Sequence, residues 1–99
     1  MDFSKNSHDG VTTLRIDGEL DAVTIPDFRP ALDALIAERP TRIVVDLSGL
    51  RLIDSSGIGA LVFLYKRVKE YGGVMTVAGV RDQPLSIFRL LRLDRVLFA

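Results

Sequence analysis

Between residues 11 and 18 the chain alternates, with Thr12, Leu14 and Ile16 on one side and Thr13, Arg15 and Asp17 on the other. A period of two predicts a strand with one buried face. Residues 3–7 precede it, separated by Asp9-Gly10, a dipeptide suited to a hairpin, so a first strand is expected there. In TIPDFRPALDALIAER the pattern changes: Phe28, Ala31, Leu32, Leu35 and Ile36 recur at helical spacing. Thr24 is the expected cap and Pro26 suits the first turn. Asp27 stands three residues after Thr24, as in a capping box, and Pro30 removes one backbone donor. RIVVDL, residues 42–47, reads as a central strand apolar on both sides. A long helix follows from about residue 56 to residue 71, closed by Gly72 and Gly73. Ile58, Leu61, Leu64, Tyr65 and Val68 form its core side, while Gly59, Phe63, Lys66 and Glu70 point away. VMTVAGV reads as another buried strand, and DQPLSIFRLLRL as a short helix with Asp82 as cap and Pro84 near its start. RVLFA is read as a closing strand. The order ββαβαβαβ predicts an α/β domain with a mostly parallel or mixed sheet and neighbouring helices on one face.

Length and composition narrow the partners. The 99 residues make one domain, and 47% apolar content is enough to build a core. Thirteen basic residues balance thirteen acidic ones, so no broad field draws the chain to nucleic acid or to an anionic bilayer. There is no cysteine and one histidine, His8, in a polar stretch read as a solvated loop, which leaves little material for a metal site or a histidine base. The opening residues lack a basic-then-apolar signal pattern, and no apolar run approaches the roughly 20 residues of a membrane span. A cytoplasmic protein without cofactor, metal or membrane insertion is expected.

The candidate chemistry lies in DSSGIG, residues 54–59, where strand passes to helix. A nucleophile elbow needs glycine two places before and two after its serine, and neither Ser55 nor Ser56 has that setting. GIGALV has only the first two glycines of a dinucleotide loop, and no Walker lysine occurs. An enzyme is therefore not expected. Two readings of the serines remain. A serine before a helix is a common N-cap. Alternatively, an exposed hydroxyl at the positive end of a helix is a place where a phosphoryl group can be added without breaking the fold. Phe63 likewise reads either as an ordinary surface residue or as an interface anchor among small and charged groups.

DSSGIGALVFLYKRVKEYGG after LSGL, with GELDAVTIP upstream, resembles the STAS domain of bacterial anti-sigma factor antagonists. The likeness runs along nearly the whole chain, so residues 1–99 are read as a single STAS domain. That implies a single mixed sheet of about five strands with helices mainly on one face. LLRLDRV resembles the family's last helix–strand turn, with Arg92 where a glycine is often found. The resemblance further implies a phosphorylation-gated binding module. Such a protein binds an anti-sigma factor that is also a serine kinase and so frees a sigma factor. It lets go when phosphorylated and is restored by a PP2C-type phosphatase. The implied phosphoacceptor is Ser56, with Ser55 the second choice. Asp21 corresponds to an acidic position that aids kinase recognition. The partner-facing set is Asp21, Asp54, Ser55, Gly57, Gly59 and Phe63. The alternative is a non-catalytic STAS subunit of a lipid-transport ABC complex or of a stress-sensing scaffold. The complete DSSG block and the small size favour the antagonist.

Overall fold

The computed structural model describes residues 1–98. Strands β1 (Asp2–His8) and β2 (Val11–Leu20) form the expected hairpin, followed by α1 (Ile25–Glu38), β3 (Arg42–Ile53), α2 (Ser55–Glu70), β4 (Val74–Ala78), α3 (Asp82–Leu90) and α4 (Asp94–Leu97). The sheet order is β1-β2-β3-β4; the first pair is antiparallel and the other two are parallel, so the sheet is mixed. Thr12, Leu14 and Ile16 are buried, as the alternation predicts. They join Ile43, Val45, Leu47, Met75 and Val77 beneath Phe28, Leu32 and Leu35 of α1 and Leu61, Leu64 and Val68 of α2. Phe88 of α3 and Leu97 of α4 complete the same core.

The opposite sheet face stays open, and this corrects the reading of β3. Val44 and Asp46 are only half-buried, so the central strand is apolar on one side alone. Asp46 there meets Arg15 at 3.6 Å, and Arg15 also bonds Asp17 at 3.1 Å. β4 is likewise half-buried, with Val74 exposed.

The helix ends depart from expectation in detail. Thr24 occupies the N-cap position of α1 without capping it. Its hydroxyl instead accepts from Asp21 N (3.0 Å) and donates to Glu19 O (3.1 Å). Asp27 makes no capping bond. Pro30 lies inside an unbroken α1. Asp82 does not cap α3: Arg81 holds that position, and no side chain caps the helix. Neighbouring Gln83 instead bonds both backbone groups of Ile53, accepting from its N–H and donating to its carbonyl, each at 2.9 Å. At the end of α2, Gly72 N donates to Lys69 O and Gly73 N to Val68 O, the double bond pattern of a Schellman stop.

The expected closing strand is a helix. Leu93 and Leu97, four residues apart, turn the same way, and Leu97 N donates to Leu93 O at 2.8 Å. Burying Leu97 favours this turn over an extended segment. Phe98 keeps one parallel bridge to Val77, and Ala99 lies outside the described residues. The sheet therefore has four strands among the described residues.

A second Schellman stop ends α3, through Arg92 N to Arg89 O and Leu93 N to Phe88 O. Arg92 sits at the left-handed position of this stop with φ of 60°. Any L side chain is strained there and glycine is not. Arg92→Gly is expected to stabilise the fold by about 0.5–1 kcal/mol, the relieved strain exceeding the added chain entropy of glycine. A melting-temperature comparison checks it; a lower value for the variant contradicts the strain.

Candidate functional site

Parallel β2 and β3 deliver their C-terminal ends to one edge, with Leu20 in register with Ile53. The chain leaves Leu20 for the loop before α1, and leaves Ile53 for Asp54 and α2. Asp21 and the DSSG block, far apart in sequence, become neighbours for this reason.

Asp54 organises the junction. It is the N-cap of α2, and its Oδ1 accepts from Gly57 N at 2.9 Å. Its Oδ2 accepts from Ala22 N at 3.1 Å, and its own N–H donates to Leu20 O at 3.3 Å. The Gly57 N–H, above all, holds its carboxyl below the usual carboxylate range; partial burial opposes this, and the Ala22 and Ser56 N–H groups add to it. The lowered value gives a sign for acid sensitivity. The stabilisation is fully present above the ordinary carboxylate pKa and is lost as pH falls through the lowered one.

This cap excludes the capping reading of the serines. Neither serine is the N-cap, because the aspartate before them already is. Ser55 and Ser56 are the first two residues of α2, both exposed, and neither hydroxyl has a hydrogen-bond partner among the described residues. A group attached to Ser56 would stand at the positive end of a 16-residue helix without displacing core side chains.

The other predicted residues divide. The Asp21 carboxylate accepts from Val23 N and Thr24 N, both at 3.0 Å, and shapes the loop before α1. Gly59 is exposed, with open space where a side chain would project. Gly57, expected among the partner-facing residues, is buried, and its missing side chain makes room for the Leu20 carbonyl.

Phe63 also needs correction. It is half-buried rather than projecting, with the Arg29 guanidinium 4.4 Å and that of Arg67 5.9 Å from its ring centroid. It shares the stripe of Ser56 and Gly59 by spacing, but it cements α1 to α2. Phe63→Ala is therefore expected to cost about 2 kcal/mol of stability, less than a fully buried phenylalanine would. Denaturant unfolding measures this; an unchanged midpoint with weakened partner binding restores the anchor reading.

Sequence reasoning missed a groove between α2 and α3, lined by Ile53, Ile58, Ile87, Leu90 and Leu91, with Ser55 beside them. Leu90 and Leu91 are 77% and 52% exposed. The adjacent leucines in RLLRL were the available signal. Among the described residues no group of three or more His, Cys, Asp or Glu is placed to hold a metal ion, and no helix is long and apolar enough to cross a membrane.

Residues 2–98 match the model of the STAS domain family. The chain is 39% identical over 92 residues to an anti-sigma F factor antagonist of Paenibacillus polymyxa, covering 92% of this chain and 76% of the relative. It is 29% identical to the anti-sigma-F factor antagonist RsfB of Mycobacterium tuberculosis, covering 84% and 70%. A crystal structure of an anti-sigma factor antagonist from Mycobacterium paratuberculosis superposes with a TM-score of 0.87 at 28% identity, covering 97% of this chain and 81% of that one.

Proposed function

The chain belongs to the STAS domain family, and from that premise we propose that it is an anti-sigma factor antagonist switched by phosphorylation of Ser56. It binds an anti-sigma factor that is also a serine kinase and thereby frees a sigma factor in the cytoplasm. The kinase phosphorylates Ser56, the modified chain lets go, and a PP2C-type phosphatase returns it to the binding state. The chain itself performs no chemistry: base, nucleotide and metal belong to the partner enzymes.

The observation that carries this reading is the division of labour at the start of α2. Asp54 does the capping, which leaves two exposed hydroxyls without a structural task. The names of the relatives point the same way. Ser56 is preferred to Ser55 because Ser55 lines the α2–α3 groove, whereas Ser56 lies on the open stripe with Gly59. Asp21 contributes negative charge on the neighbouring loop, where a kinase reads it together with the acceptor. In a transport subunit or scaffold the free hydroxyls have no evident use.

The test is direct. Incubation with ATP and an anti-sigma factor of the serine-kinase class should place one phosphate on Ser56, located by mass spectrometry of the peptides. Absence of phosphate, or its appearance away from Ser55 and Ser56, rules the switch out. Co-purification with an ABC ATPase favours the transport role instead.

A further inference from the structure

We propose that Asp54 is a positioning residue for the phosphorylation of Ser56: its carboxylate clasps the loop before α1 to the start of α2, so that a kinase meets Asp21 and Ser56 as one preformed surface. This deepens the function proposed above and rests on it.

Capping alone does not explain an aspartate here. One oxygen satisfies the helix, and serine or asparagine caps as well as aspartate. The second oxygen reaches Ala22 N, 32 residues earlier in the chain. Only a carboxylate offers two acceptors with no donor. Asparagine must turn an amide N–H toward one of the two backbone N–H groups, and serine has a single short oxygen.

Nor does the clasp serve burial. Ala22 is exposed, so its N–H would find water if Asp54 let go, and the net gain in stability is small. What the bond adds is position. Asp21 precedes Ala22 directly, and its own carboxylate is engaged by Val23 N and Thr24 N. Its place relative to the loop backbone is therefore set, and whatever holds Ala22 holds Asp21. Leu20 O, packed where Gly57 lacks a side chain, provides the second point of attachment. A loop ordered in advance spares an incoming enzyme the cost of ordering it, which appears in binding more than in the chemical step.

Asp54→Ser and Asp54→Asn separate the cap from the clasp, since both residues cap well. Melting temperatures within a few degrees of the native chain are expected, and these confirm folding. Amide exchange at Ala22, followed by NMR on the chain alone, should speed up about tenfold in both variants, as expected for an amide that loses its only protein acceptor. With the kinase named above, KM for the chain should rise about tenfold while kcat changes less than twofold. Unchanged exchange at Ala22 overturns the clasp. Faster exchange with an unchanged KM, or a loss confined to kcat, overturns the positioning role. A native chain that accepts no phosphate at Ser56 overturns the functional reading and the kinase half of this inference together. The exchange rate still decides the clasp in that case, so the two failures are told apart.

Discussion

Phosphate on Ser56 is expected to weaken docking of the anti-sigma factor by about a hundredfold or more, and Ser56→Asp by about tenfold, while Ser56→Ala binds like the native chain. Phosphorylation adds about 1.5 to 2 negative charges. Against an acidic group of the partner about 6 Å away, each unit pair costs roughly 0.7 to 2.8 kcal/mol for effective dielectrics between about 80 and 20. Two such pairs give the larger factor, since about 1.4 kcal/mol is tenfold in affinity. Ser56 is exposed and does not cap the helix, so none of these changes should disturb the fold by more than about 0.5 kcal/mol. Loss of binding then reports charge and not unfolding. Calorimetric titration of the four forms decides it: equal affinity for the Asp and Ala variants excludes electrostatic release, and a large loss in Ser56→Ala assigns the hydroxyl itself to the interface.

Two glycines two residues apart in α2 should respond in opposite directions. A methyl group on Gly57 would overlap the Leu20 carbonyl oxygen and lie 2.7 Å from Ile53 Cγ1. The first of these is backbone and cannot swing aside, so the helix start must shift and the bonds of Asp54 with it. Alanine's better helix propensity returns about 1 kcal/mol, and the clash outweighs it. Gly57→Ala is expected to lose about 2–3 kcal/mol net, a fall in melting temperature on the order of 10–20 °C. At Gly59 a methyl meets nothing within 4 Å, and Gly59→Ala should gain about 0.5–1 kcal/mol from propensity alone. Gly59 is among the residues proposed to face the partner, and a residue without a side chain permits close approach there. Gly59→Ala should therefore bind the anti-sigma factor more weakly while melting at a higher temperature. Thermal melts and titrations on both variants test the contrast. A Gly57→Ala chain as stable as the native one refutes the contact with Leu20, and a Gly59→Ala chain with native affinity removes Gly59 from the interface.

What could be read from the residues was mostly periodic. The alternation through Thr12, Leu14 and Ile16 and the helical spacing from Ile58 to Val68 state which side faces the core, because burial of apolar surface enforces both periods. The glycine stop after Tyr71 was equally plain, since only a left-handed turn needs Gly72 there. The rest depended on contacts that no local window contains. Propensity ranks Asp54 and the two serines alike as caps, and only the Ala22 N–H on another loop makes the aspartate the better choice. Phe63 looked exposed because its own helix points it outward; Arg29, on α1, covers it. The segment around Leu97 is too short for its period to distinguish strand from helix, and the left-handed turn at Arg92 sets its direction. The shared edge of Asp21 and Ser56 follows from parallel pairing of β2 with β3, which the α/β order implies but no motif records.

The Gln83 carboxamide at Ile53 has a consequence for self-association. β4 ends opposite Asp46, so more than half of β3, from Leu47 to Ile53, has no strand beside it on that side. Unpaired backbone at a sheet margin is a template on which a foreign strand can add and fibres can grow. By occupying both the N–H and the carbonyl of Ile53, Gln83 imitates the missing strand with a single side chain and denies the terminal rung to any intruder. At that rung, beside the helix start that carries Ser55 and Ser56, the sheet margin is thus closed to strand addition by copies of the chain.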